Sequence, residues 1–220
     1  MKEFFSDWFS LDGFNIWKLH TPMDYVYFGL ILVGGFVLLW LVIRFLASRR
    51  TPEGTAARVE KQLRKLGGKE SAVYRDVTIR SQRDHCSCAM LYANWEGVYV
   101  VQVYHFGLEV SGSASSKYWT LSYNKDIRQV DNPLDEMEEQ IVVLNRLLGR
   151  AGIRGVPVEK LVIFADIYGR PSLSLRGVDC AVVRQDLPKW RKEKRKGSTI
   201  DLKGVKQALE ASFQTAPNQG

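Results

Sequence analysis

From Tyr25 to Ile43 the chain carries nineteen uncharged residues in a row, YVYFGLILVGGFVLLWLVI, and it stays apolar past Arg44 as far as Ala47. As a helix this run is about as long as the ~30 Å hydrocarbon core of a bilayer is thick. A helix buried in a soluble core of this length normally keeps a polar stripe, and this run has none. A cleaved signal peptide fits poorly as well. The residues before the run are acidic rather than basic, the run is too long, and Arg44 stands where a small-residue cleavage site belongs. We therefore expect a retained transmembrane helix over 25–47, followed by a linker over 48–54 and one globular domain over 55–213, with a polar tail at 214–220. The mean hydropathy of −0.17 is the average of these unlike parts. About 170 residues beyond the helix suffice for one domain with a proper core, not comfortably for two.

The flanks predict an orientation. Residues 1–24 carry Lys2 and Lys18 against Glu3, Asp7, Asp12 and Asp24, whereas Arg44, Arg49 and Arg50 mark the other end. The positive-inside bias then places the N-terminus outside and the main domain in the cytoplasm, as expected for a single-pass protein of a bacterial inner membrane. Three cysteines, Cys86, Cys88 and Cys180, suit that compartment, because a stable disulfide framework is not expected there. The first 24 residues interleave aromatic and acidic side chains. Trp8, Trp17, Tyr25 and Tyr27 read as interfacial anchors, since amphipathic rings prefer headgroup depth. Gly29, Gly34 and Gly35 have no G-x-x-x-G spacing, so they carry little signal for helix pairing.

Beyond the Thr51-Pro52-Glu53-Gly54 linker, Val59, Leu63 and Leu66 form the apolar stripe of an amphipathic helix that ends at Gly67-Gly68. Strand patterns follow at Val73–Ile79, Ser87–Tyr92, Val98–Tyr104 and Tyr118–Tyr123, with Glu96-Gly97 as a tight turn, and they read as one meander. Asn132-Pro133 opens a second helix with Met137, Ile141, Leu144 and Leu148 on one face. Leu161–Ala165 and Cys180–Val183 read as buried strands separated by a Gly169-Arg170-Pro171 turn, and Leu202–Phe213 as a last helix. The predicted class is α/β, an α/β sandwich with a mixed sheet.

The block from Gly97 to Phe106, GVYVVQVYHF, is followed by Gly112, Lys117-Tyr118-Trp119, Asn132-Pro133-Leu134 and Leu161-Val162-Ile163-Phe164. This ordered series resembles the nuclease-related domain of the restriction-endonuclease-like superfamily over roughly residues 54–190. The resemblance implies a third strand ending in a Glu-x-Lys pair, an Asp on the preceding strand and an acidic residue on the first helix. Here those positions fall on Gln102, Tyr104, Ala89 and Ala56. Carboxylates would hold Mg²⁺ and the lysine would act on water and developing charge. An amide, a phenol and a methyl group supply none of this near neutral pH. The resemblance together with these replacements implies a non-catalytic domain with no cofactor and no catalytic residue. Asp84 and Glu109 flank the altered positions, yet one precedes its strand and the other follows Gly107.

Two further clusters invite chemistry. Asp84-His85-Cys86-Ser87-Cys88 contains one C-x-C, but a structural zinc site needs four ligands and no second pair exists, so no metal is expected. Lys189, Trp190, Arg191, Lys192, Lys194, Arg195 and Lys196 make the most basic eight-residue window of a chain with formal net charge +7. That segment suits nucleic acid, with Trp190 stacking on bases, or anionic lipid beside the membrane, or a solvated loop. The expected function is a membrane-anchored binding module that recruits nucleic acid, or a nucleic-acid-handling protein, to the cytoplasmic face in DNA transfer or defence. The alternatives are a structural subunit of a multiprotein envelope assembly, with protein partners in the membrane, and a residual metal-dependent nuclease.

Overall fold

The computed structural model describes residues 22–48, 51–81, 84–165, 169–194 and 200–213. The first compact unit ends at Ser48 and the second starts at Arg49. In the first, helix α1 runs over Pro22–Ser48. Its Phe28–Phe45 stretch has mean hydropathy 2.4 and no buried residue, so it is long and apolar enough to cross a membrane. Arg44 lies over the Trp40 ring, 5.2 Å from its centroid, as a spacing of four on a helix allows.

The second unit opens with α2, Pro52–Gly67. Thr51 Oγ1 accepts a hydrogen bond from the Gly54 N–H and Pro52 occupies the first turn, where its missing N–H is no loss. Gly68 follows at φ 79°, a left-handed conformation that suits glycine after a helix. Strands β1 (Ala72–Ser81), β2 (Asp84–Asn94) and β3 (Gly97–Tyr104) follow as an antiparallel meander. The Asn94 side chain accepts from the N–H groups of Glu96 and Gly97 and so fixes the turn between the last two.

The chain then leaves this sheet. Strands β4 (Glu109–Ser113), β5 (Tyr118–Tyr123) and β6 (Asp126–Asp131) form an antiparallel group. Helix α3, Pro133–Arg150, is capped by Asn132 and returns the chain to β7, Val158–Phe164, which pairs parallel with β3. Next come β8 (Ser172–Arg176), parallel to β4, and β9 (Ala181–Val183), parallel to β7. A 3-10 turn over Arg184–Asp186 leads into α4, Leu187–Lys194, and α5, Leu202–Ser212, follows.

Two sheets result, with orders β1-β2-β3-β7-β9 and β6-β5-β4-β8. Both mix parallel and antiparallel pairs, so the α/β class with mixed pairing holds. The single meander does not. Tyr118–Tyr123 belongs to the second sheet, and Glu109–Ser113, Asp126–Asp131 and Ser172–Arg176 are additional strands. The first two of these are mostly polar, and their formation depends on pairing with neighbours rather than on their own periodicity.

Apolar side chains separate onto two faces of the five-stranded sheet. Val59 and Leu63 of α2 and Leu187 and Trp190 of α4 pack with Met90, Tyr92, Tyr99 and Val101 on one face. Leu144 and Leu148 of α3 and Val205 and Leu209 of α5 pack with Cys88, Leu91, Val98 and Val100 on the other. The second sheet adds Val110, Trp119 and Leu121 to that latter cluster.

Candidate functional site at the sheet fork

Pairing between β1 and β2 runs from Ala72–Ala93 to Ser81–Asp84 and is interrupted at one level, that of Asp76 and Ala89. Asp76 there has φ 48°, which is unusual for a residue with a Cβ. The interruption changes which side chains face inward. Tyr74 precedes it and Val77 and Ile79 follow it on the same cluster, as do Cys86 and Cys88 before and Leu91 and Ala93 after. Both strands take one extra step at the same level, so the register survives while the pattern shifts by one.

Pairing between β2 and β3 ends at Met90–Val101. Beyond that pair Gln102, Val103 and Tyr104 continue against Val162, Ile163 and Phe164 of β7, while the β2 arm stays with β1. The sheet thus forks at Ala89 and Gln102, the next residues in register. Helix α3 bridges the opening, since Gln140 Nε2 donates to the Ser87 carbonyl at 2.8 Å and to Glu136 Oε1 at 3.0 Å.

The alternation of β3 puts Gln102 and Tyr104 on the α3 side, with Val98 and Val100. Tyr104 stacks on Phe164, with centroids 5.3 Å and planes 14° apart, and its hydroxyl donates to the Asp131 carbonyl at 3.4 Å. Burial, and then the charges of Glu136 and Asp131, push its phenol up to about 12. Ala89 is exposed and Gln102 half-buried. Ala56 packs with the α2 cluster on the opposite face. The structure therefore gathers Ala89, Gln102 and Tyr104 at one fork and leaves Ala56 across the sheet.

The flanking acids lie elsewhere. Asp84 does not precede its strand but opens β2, paired with Ser81 at the end far from the fork, and Glu109 is exposed on the second sheet, accepting from Ser122 Oγ at 3.4 Å. Among the described residues no group of three or more His, Cys, Asp or Glu is placed to hold a metal ion. The Cys88 thiol is pushed up by a hydrogen bond with Cys86 and by burial, so it is a weak nucleophile at neutral pH. At the fork the protein offers an amide, a stacked phenol and the nearby Asp131 and Glu136 carboxylates. Sequence patterning gave no sign of those two acids, because they come from the end of β6 and from α3.

The basic segment is helical up to Lys194. Trp190 is 8% exposed and meets Tyr99 edge-on, with centroids 5.1 Å apart. Its ring faces the interior, away from any position a stacked base would need. Arg191 forms an ion pair with Glu96, with side chains only 11% and 9% exposed. Lys194 pairs with Glu159 at 2.5 Å. Lys189 and Lys192 are exposed. Arg195, Lys196, Trp8, Trp17, Arg49 and Arg50 lie outside the described residues, and Tyr25 and Tyr27 belong to the first turns of α1.

The sequence pattern of the nuclease-related domain matches residues 53–165, from the first turn of α2 to the end of β7. Neither the curated proteins nor the solved structures compared with the chain give a match. The matched span includes the whole fork and every strand that builds it, together with mixed sheets consistent with a restriction-endonuclease-like fold. Behind a helix of membrane-spanning length, the chain belongs to the nuclease-related domain family.

Proposed function

We propose that this protein is a membrane-anchored, non-catalytic member of its family that acts by binding at the cytoplasmic face. It brings nucleic acid, or a protein that handles nucleic acid, to the inner membrane. The observation that carries the reading is Tyr104, which occupies the lysine position of the family and is stacked on Phe164. A ring held in this way supplies no cation, and neither Gln102 beside it nor Ala89 on the facing strand supplies a charged metal ligand. The net charge of −2 over residues 1–24, with Arg44, Arg49 and Arg50 at the other end of the apolar run, supports an N-terminus outside.

A second reading is a structural subunit of an envelope assembly. It is favoured by Ile127 on the edge strand β6 and Tyr118 on its neighbour β5, which are 69% and 45% exposed. Purification of the full chain from membranes in mild detergent separates the two. Co-purifying nucleic acid, or a nucleic-acid-processing partner, supports recruitment, whereas discrete stoichiometric envelope subunits support assembly. Mg²⁺- or Mn²⁺-dependent cleavage of DNA that is lost with Asp84→Ala or Glu109→Ala would overturn the non-catalytic reading.

A further inference from the structure

We infer that the outer face of α2 and α4 is a docking surface for the anionic headgroups of the bilayer that holds α1. This deepens the proposed function and rests on its reading of α1 as a membrane anchor. The two helices touch and cover the same face of the five-stranded sheet. On α2, Val59 and Leu63 point inward, and Lys61 and Lys65 lie half a turn away on the exposed side. On α4, Leu187 and Trp190 point inward, and Lys189 and Lys192 are exposed. The result is one helical layer with four outward ammonium groups.

The nearby acids do not neutralise this layer. Glu60 is taken by Arg64 and Arg75, Glu96 by Arg191 and Glu159 by Lys194. Among the described residues none of the four lysines has an acidic partner within an ion pair, and Glu193 is the one exposed acid of α4.

Two observations favour lipid over nucleic acid. Three residues, 49–51, separate α1 from α2 in the sequence, so the basic layer follows the membrane anchor directly along the chain. Basic groups near an anionic leaflet are attracted to it, with each near-surface lysine adding about fivefold to the equilibrium. The second observation is that the aromatic ring in the basic segment, Trp190, is buried, so the stacking platform expected of a single-strand binder is missing. Docking this layer turns the opposite side of the sheet, with Gln102 and Tyr104, away from the bilayer.

The test uses the full chain in bilayers of phosphatidylcholine alone or with one-third phosphatidylglycerol, and reads lysine acylation by mass spectrometry. Lys61, Lys65, Lys189 and Lys192 should react at least fivefold more slowly in the anionic bilayer, with Lys117 and Lys125 of the second sheet unchanged and the difference removed by high salt. Lys189→Gln with Lys192→Gln should weaken the protection of Lys61 and Lys65. Equal reactivity in both bilayers overturns the inference, as does protection that appears only with added duplex DNA. Alkaline extraction of the same samples reads the anchor separately. A chain that resists extraction but shows no protection refutes docking alone, and a chain that is extracted yet protected refutes the anchor alone.

Discussion

Tyr104 and Phe164 are direct partners in the parallel pairing of β3 with β7, and their rings lie stacked at 5.3 Å. A parallel pair brings side chains at the same level onto the same face, so this contact follows from the register. It is worth about 0.5–1.5 kcal/mol beyond the area the rings bury. Tyr104 is thereby part of the packing of the fork.

Alkaline titration should reveal this. The Tyr104 phenol is pushed up to about 12 by burial, and burial also raises those of Tyr74, Tyr92 and Tyr99 above the usual 10. A folded pKa above the unfolded one gives stability that is complete below pH 10 and is lost as pH rises through the folded values. Absorbance at 295 nm should show a tyrosine fraction titrating late and together with unfolding, and Tyr104→Phe should reduce that late fraction.

Glu96→Gln should lower stability by about 3–5 kcal/mol, because it leaves the buried Arg191 guanidinium without a counter-charge. The double substitution Glu96→Leu, Arg191→Met should cost far less, as neither charge then remains. Denaturant unfolding of the detergent-solubilised chain distinguishes the two outcomes.

Gly112 faces the indole of Trp119, and a methyl group placed there would come within 2.6 Å of Cδ1. Trp119 is fully buried and donates from Nε1 to the Ser113 carbonyl at 3.0 Å, so it has little room to give way. Gly112→Ala should cost about 1–3 kcal/mol. The tryptophan emission of the folded state should shift with it.

Asn132 joins the start of α3 to the 114–117 loop. Its Oδ1 accepts from the Leu134 N–H at the start of α3, and its Nδ2 donates to the carbonyls of Ala114 and Ser116, each at 2.9 Å. Asn132→Ala should destabilise by about 1–2 kcal/mol. Asn132→Asp should keep the cap but lose both carbonyl contacts, so hydrogen exchange should rise in the 114–117 loop and not at the start of α3.

Much of the fold was legible locally. Val59 and Leu63 marked α2, Asn132-Pro133 marked the start of α3, and the Val98–Tyr104 alternation marked the central strand, because each pattern reports a period of the backbone within a few residues. The second sheet was not legible. Asp126–Asp131 has one partly buried residue in six, and it is a strand because Trp119 and Leu121 of β5 hold its neighbour in the core. At the fork, the identities of Ala89, Gln102 and Tyr104 followed from spacing relative to Gly97. The broken pairing that surrounds them depends on three strands together.

By itself the sequence determined that a helix of membrane-spanning length precedes a mixed α/β domain, and that this domain resembles the nuclease-related domain. Both depend only on which residues occur and at what spacing. Tertiary structure decided which side chains of the basic segment are buried and which are exposed. Arg191 and Trp190 turn inward because Glu96 and Tyr99, far away in sequence, line the face on which α4 lands. Burial of the indole and pairing of the guanidinium leave Lys189 and Lys192 exposed, on a helix that touches α2. Local periodicity carries no record of that long-range pairing, so the division of one basic run into core and surface required the fold.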